Sequence, residues 1–153
     1  MKTLIIYGSV FGNTAQAANF LADTLGPETL IKPLAETVAA DISAAERVIV
    51  ATPTHAGRAS QPWQNFLKFL PGDIWQGKRV AVFSTGLPVQ GQNFFLKILL
   101  KVLGYAATPT LALLLKKGAL MAGEPLDLMV ATKQGPLLPG ELERLSVWAL
   151  KLK

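Results

Sequence analysis

Apolar and polar positions alternate along the chain in blocks of strand length and helix length. The continuous apolar run at 2–7 (KTLIIY) predicts a strand that is covered on both faces. Residues 13–25 then repeat small and apolar side chains at helical spacing, and Gly26-Pro27 ends that helix. Because such units recur, the pattern predicts an α/β fold with a parallel sheet between two layers of helices.

The same reading extends to the rest of the chain. Further strands are predicted at 28–33, 47–53, 78–85 and 108–115, and further helices at 34–46, 62–70, 93–104 and from Gly140 onward. Trp63 is in phase with Phe66 and Leu67, which assigns it to the core rather than to a ligand. Repeats, low-complexity tracts and linkers are absent from the sequence, so a single domain is predicted over 1–153.

Three loops stand out because they are rich in glycine and polar residues within an otherwise apolar chain. They lie at 8–14, 53–61 and 85–92, each directly after a predicted strand. In doubly wound sheets the carboxyl ends of the strands lie at one edge, and ligands bind there where the strand order switches. The three loops are therefore predicted to form one binding site.

The amino-acid composition excludes several kinds of functional site. The chain has no cysteine, which excludes disulfides, thiolate nucleophiles and cysteine-based metal sites, and no metal ligands or catalytic residues are assigned. The net charge is +5, but the cations are scattered, so nucleic-acid binding is not predicted. An acidic protein partner or a peripheral membrane contact remain as alternatives. The apolar runs stop short of the roughly 20 residues that span a bilayer, so a cytoplasmic protein without a transmembrane segment is expected.

The first loop, GSVFGNT at 8–14, contains neither lysine nor arginine. Three residues separate Gly8 from Gly12, and Asn13 stands where a P-loop has lysine, so a nucleoside triphosphate is not predicted. Free amides at the start of a helix, with nearby hydroxyl groups, bind one phosphate without a cation. The alternative is an ordinary strand-to-helix turn.

The segment YGSVFGNTAQAANFLADTL resembles the phosphate-binding signature of the flavodoxin family, Ser/Thr-x-Thr-Gly-x-Thr after the first strand. Ser9, Gly12 and Thr14 match that signature, whereas Phe11 replaces a hydroxyl residue. The resemblance implies a three-layer fold whose five-stranded parallel sheet has the order 2-1-3-4-5. It also implies FMN as the cofactor, bound at the carboxyl edge of the sheet.

The resemblance assigns the cofactor contacts to the three loops. Those residues are Ser9, Val10, Phe11, Gly12, Asn13 and Thr14, then Pro53, Thr54, His55, Ala56, Gly57 and Arg58, and finally Thr85, Gly86 and Leu87. Gly57 would allow a peptide near the flavin to turn over. His55 either contacts the ring or is a solvated loop residue, and Arg58 either stabilises the reduced flavin or is a surface cation.

Three functions follow from these observations. The first is an FMN-binding electron carrier with a redox partner protein that has an acidic docking face. The second is a flavin-dependent oxidoreductase similar to the menaquinone-linked protoporphyrinogen oxidases or the quinone reductases. The third is an interaction module of the same fold that binds no flavin. Lys97 and Lys101, on the otherwise apolar helix 93–104, mark either the wet side of a buried helix or a surface that meets a membrane or a large partner.

Overall fold

The computed structural model describes residues 1–152. The strands are β1 (Thr3–Tyr7), β2 (Thr29–Pro33), β3 (Arg47–His55), β4 (Arg58–Ala59), β5 (Arg79–Gly86), β6 (Leu120–Met121) and β7 (Leu126–Met129). The α-helices are α1 (Asn13–Leu25), α2 (Ala39–Ala44), α3 (Gln61–Phe69), α4 (Phe94–Leu103), α5 (Ala107–Lys116) and α6 (Glu141–Ala149). Short 3₁₀ turns occupy Leu34–Glu36 and Gly72–Trp75.

The main sheet is parallel and has the order β2-β1-β3-β5, followed by β6 and β7, which pair one after the other with the first and second parts of β5. β1 lies between β2 and β3, with Ile5 opposite Ile31 on one side and Ile49 on the other. The predicted order 2-1-3-4-5 is confirmed, with β6 and β7 together filling the fifth position.

One predicted strand is wrong. Residues 108–115 form most of helix α5 rather than the fifth strand. The residues that this helix buries are Ala107, Thr110, Leu111 and Leu114, a spacing of three to four that places them on one helical face. The fifth position is filled instead by two short strands, because residues 122–125 interrupt the pairing with β5.

Alternate side chains of the central strands point to opposite faces of the sheet and belong to two separate hydrophobic cores. Leu4, Val48 and Val80 point toward the layer that holds α2, α3 and α5, together with the fully buried Trp63. Ile5, Ile49 and Ala81 point to the opposite layer, which holds α1 and α6. The prediction that Trp63 belongs to the core is confirmed, and its indole Nε1 donates a hydrogen bond of 3.0 Å to the carbonyl of Ala51.

Helix α4 differs from the interpretation that it is a well-buried crossover helix. Every one of its residues is exposed or only half-buried. The segment Phe94–Lys116 is long and apolar enough, by length and composition alone, to cross a membrane, with a mean hydropathy of 1.8. The structure divides it into α4 and α5 at Gly104, and α5 packs against the sheet.

Candidate functional site

The three loops meet around one cleft of about 600 Å³ at the carboxyl edge of the sheet. Thirteen of the fifteen residues proposed from the sequence line it: Ser9, Val10, Phe11, Asn13, Thr14, Pro53, Thr54, His55, Ala56, Gly57, Thr85, Gly86 and Leu87. Gly12 and Arg58 are not part of the lining. The parallel topology thus brings together segments that lie up to about eighty residues apart in the sequence.

At one end of the cleft lies the N-terminus of α1. Gly12 precedes the helix with a φ of 92°, a conformation that favours glycine, and its amide donates a 3.0 Å hydrogen bond to Ser9 Oγ. Within residues 1–152, no side chain caps this helix, and its first turn carries no acidic residue. The positive end of the helix dipole is therefore open toward the cleft.

Thr14 connects the first loop with the third. Its hydroxyl lies 2.8 Å from that of Thr85, and both side chains are buried. The hydroxyl of Thr14 is thus already engaged within the protein, whereas that of Ser9 lies in an exposed part of the loop. This pair fixes the start of α1 against the end of β5.

The second loop is a tight β-hairpin in which β4 returns along β3, with His55 opposite Arg58. Its two turn residues have positive φ, 49° at Ala56 and 76° at Gly57, as a two-residue turn of this hand requires. A Cβ on Gly57 would collide with the carbonyl of Leu103 at the end of α4. His55 is exposed at the cleft.

Arg58 does not occupy the place expected from the sequence. Its side chain lines a second groove, between α3 and α5, instead of the cleft. Arg58 begins β4, the strand that leads into α3 at Gln61, and α3 forms one wall of this groove. The proposed role of Arg58 as a cation beside the cofactor is therefore not supported by its position.

The third loop is closed by an aromatic residue that the sequence reasoning missed. Tyr105 donates a 2.6 Å hydrogen bond from its hydroxyl to the carbonyl of Leu87. Its ring lies so close to Gly86 that a Cβ there would be 2.8 Å from it. Tyr105 lies between α4 and α5, outside the third loop, so the sequence of the loop itself gives no sign of this aromatic residue.

Other cleft residues also escaped the sequence reasoning. They are Leu96, Leu99, Leu100, Leu103, Gly104, Val130 and Lys133. Lys133 provides a cation, and its carbonyl accepts a 3.5 Å hydrogen bond from Asn13 Nδ2. A cation thus lines the cleft although the first loop has none. The only sequence signal was a polar turn, TKQG, after an apolar segment that had no assigned function.

A partly buried network of polar side chains extends from Thr54 in the cleft to Asp127. Thr54 Oγ1 donates to Ser84 Oγ at 3.2 Å, and Ser84 Oγ donates to Asp127 Oδ1 at 2.5 Å. Burial raises the pKa of the Asp127 carboxyl, an effect that its hydrogen bonds from Ser84 and from the amide of Ala107 and the charge of Arg144 oppose. Burial also raises the pKa of Tyr105, as does the negative charge of Asp127.

These features fit a ligand with one anionic end and a flat, largely apolar body. The open N-terminus of α1, Ser9 and Lys133 offer donors to an anion. The leucines of α4 and Tyr105 form an apolar wall. The cleft volume is within the range of small-molecule and cofactor sites. Fold and site together define a ligand-binding protein of the doubly wound α/β class, with its site at the switch point.

Comparison with known proteins specifies that class further. A family model described as "Flavodoxin domain" matches residues 4–94, which is more than half of the chain. The chain belongs to the flavodoxin family. A flavodoxin from Aquifex aeolicus is 31% identical over 91 residues, a match that covers 55% of this chain and 49% of that protein. The chain thus matches about half the length of this relative.

Solved structures agree over nearly the whole chain. An archaeal flavodoxin superposes with a TM-score of 0.76 at 16% identity, covering 98% of this chain and 94% of that one. Flavodoxin 2 from Bacillus cereus superposes with a TM-score of 0.74 at 23% identity, covering 99% and 97%. These likenesses establish the flavodoxin-like fold beyond residue 94. Family membership implies a flavin cofactor.

Proposed function

We propose that the protein binds FMN in the cleft and carries electrons between partner proteins. The observation that carries this proposal is the convergence of three sequence-distant loops on one cleft, with the uncapped N-terminus of α1 at its end. The flavin, when bound, supplies the one- and two-electron chemistry. The chain's own part is to hold the phosphate at Ser9, at the α1 amides and near Lys133, and to limit solvent access with α4 and Tyr105.

The first experiment compares FMN with riboflavin, which lacks the phosphate. Titration of flavin fluorescence with the purified protein should show quenching, and FMN should bind far more tightly than riboflavin. Ser9→Ala and Lys133→Gln should each weaken FMN by about tenfold, since a hydrogen bond or charge to an anion is worth about 1.5–3 kcal/mol, while riboflavin changes little.

Lys151→Gln is the matched control for Lys133→Gln. It removes the same charge from an exposed position beyond α6, outside the cleft, and should leave the affinity for FMN unchanged. Absence of binding at micromolar FMN would refute the flavin proposal in favour of an interaction module. Equal losses of FMN and riboflavin would mean that the phosphate is held elsewhere.

The redox partner is proposed to have an acidic docking face. The support is the net charge of +5 together with the exposed Lys133 at the cleft, since complementary charge speeds the encounter of two proteins. Electron transfer to such a partner should therefore slow as ionic strength rises. A rate that is independent of salt would count against this docking mode.

A second function is favoured by one observation, the apolar wall that the leucines of α4 form along the cleft. A wall of this kind suits an apolar substrate, as in a flavin-dependent oxidoreductase that reduces a quinone. Steady-state turnover separates the two functions. Sustained oxidation of NAD(P)H with a soluble quinone would identify an enzyme, whereas a carrier exchanges electrons only with its partner protein.

A further inference from the structure

Helix α4 presents an apolar surface on the side away from the cleft. Six of its large apolar residues are exposed, and four of them lie outside the cleft: Phe94, Phe95, Ile98 and Val102. The other two, Leu99 and Leu103, line the cleft. Phe94 is 80% exposed and Phe95 is 77% exposed. Residues four apart lie on one stripe of a helix, so Phe94, Ile98 and Val102 form a continuous row. A cluster of this kind marks an interaction surface rather than scattered surface residues.

The charge of this part of the chain has one sign. Residues 74–123, which contain α4 and α5, include six lysines and arginines and not one aspartate or glutamate. The rest of the chain has nine basic and ten acidic residues, so the net positive charge originates in this segment. Lys97 and Lys101 lie four residues apart on α4 and therefore follow one edge of the apolar row.

A groove lined by three cations continues this surface. Arg58, Lys68 and Lys117 line a cavity of about 420 Å³ between α3 and α5, together with apolar residues such as Leu67 and Leu113. We call it the basic groove. Gly57 lies against the carbonyl end of α4, and Arg58 is the next residue. The basic groove is thus adjacent to the end of α4.

We propose that α4 and the basic groove form a docking surface for a membrane of anionic phospholipids. Helices that lie in the membrane interface combine exposed aromatic and aliphatic residues with lysines, whose long side chains reach the lipid phosphates. Each lysine near an anionic leaflet contributes about 1 kcal/mol. The contact is peripheral, because α5 remains packed on the sheet. It is independent of the flavin and of the redox function.

Charge complementarity favours a lipid surface over a second copy of the chain. A twofold contact between two α4 surfaces would bring the same lysines close together, and this repulsion opposes dimerisation. An anionic bilayer instead accepts the phenylalanines and the lysines at the same time. A soluble acidic protein is the remaining alternative occupant, and the experiment separates it from the membrane.

The test is flotation of the full chain with vesicles of phosphatidylcholine, with and without phosphatidylglycerol. The protein should bind only vesicles that contain phosphatidylglycerol, and high salt should release it. Phe94→Ser with Phe95→Ser should lower the partition coefficient at least about tenfold, because the apolar surface of two rings no longer leaves water. Neither residue lines the cleft, so FMN binding should persist.

The matched control is Val147→Ser with Leu150→Ser. These residues are exposed in and just after α6, which packs on the opposite face of the sheet, and their loss should leave vesicle binding unchanged. Lys97→Gln with Lys101→Gln should lower binding about fivefold per lysine, whereas Lys151→Gln should have no effect. If circular dichroism shows that the serine variants do not fold, the lysine variants still test the proposal.

Several results would overturn the proposal. Absence of binding to anionic vesicles would refute it, as would an equal loss in the α6 control. Retention in high salt would indicate an inserted segment instead of a peripheral contact. A dimer in size-exclusion chromatography that Phe94→Ser with Phe95→Ser abolishes would identify a second copy as the occupant. Binding to a soluble acidic protein but not to vesicles would identify a protein partner.

Discussion

Single residues determine how closely the loops around the cleft pack. The sequence predicts the core position of Trp63, from its helical spacing to Phe66 and Leu67, and it also predicts the glycine-rich loops. Both predictions succeed because each depends on a local pattern. Tyr105 and Lys133 were not predicted, because their place at the cleft depends on how distant segments pack. Arg58 shows a different limit: the sequence predicts it in a loop at the cleft, whereas the structure places it in strand β4 and in the lining of another groove.

Gly57→Ala should be more destabilising than an ordinary glycine replacement at positive φ. Gly77, with a φ of 70° and open space around its Cα, is the matched control. There alanine should cost about 1–2 kcal/mol from the backbone conformation alone. Gly57→Ala should cost about 2 kcal/mol more, because its Cβ meets the backbone of Leu103. Urea unfolding measures both, and equal losses would contradict the close approach.

The half-buried carboxyl of Asp127 should make stability depend on pH. Its folded pKa is raised by burial, so the folded state binds more protons than the unfolded state between the two pKa values. The free energy of unfolding therefore falls as pH rises through that window. Asp127→Asn removes this loss, and its stability relative to the wild type should increase from about pH 4 toward neutrality.

Asp41→Asn is the control of opposite sign. Hydrogen bonds from Lys32 and from the Val38 amide, with the charge of Lys32, lower the pKa of the half-buried Asp41 carboxyl. Its contribution to stability is present above its unfolded pKa and is lost as pH falls through the folded value. The relative stability of Asp41→Asn should thus decrease as pH rises. Parallel slopes for the two variants would contradict the assignment for Asp127.

At the level of elements, the periodicity of the sequence predicts β1, β2, β3, β5 and most helices. It predicts neither the short strand β4 nor the strands at the fifth position of the sheet. The run TPTLALLL has strand length and continuous apolarity, which a buried helix shares. It is rich in leucine and alanine, both helix formers, and these residues decide in favour of α5. The true edge strands, LM and LDLM, are too short to give a strand signal.

Glu141 connects α6 to β7 and should be essential to their packing. Its carboxylate accepts a 2.6 Å hydrogen bond from the amide of Met129 and pairs with Arg144. Glu141→Ala leaves that amide without its acceptor and should cost about 2–3 kcal/mol of unfolding free energy. Glu143→Ala, exposed in the same first turn, should change it by less than about 0.5 kcal/mol. Similar losses, measured by denaturant unfolding, would argue against this connection.

Across the whole molecule, the stability of the backbone should be uneven. Strands β1, β3 and β5 are covered on both faces, whereas α4 is ten residues long and mostly exposed. Helices of that length are marginal in water without tertiary packing. The amides of α4 should therefore exchange with solvent through local opening, with little dependence on urea, while those of β3 exchange through global unfolding. If native-state hydrogen exchange shows that the α4 amides open with the free energy of global unfolding, this prediction is wrong.

The split fifth position of the sheet has a consequence for solubility. An exposed strand edge is a template on which other chains add strands and aggregate. Here one edge is divided between β6, with two residues, and β7, with four. At the other edge, β2 has five residues, includes Lys32 and ends at Pro33, which has no amide hydrogen to donate. Although half of its residues are hydrophobic, the chain has edge strands that are too short or too interrupted to pair with a strand of another molecule.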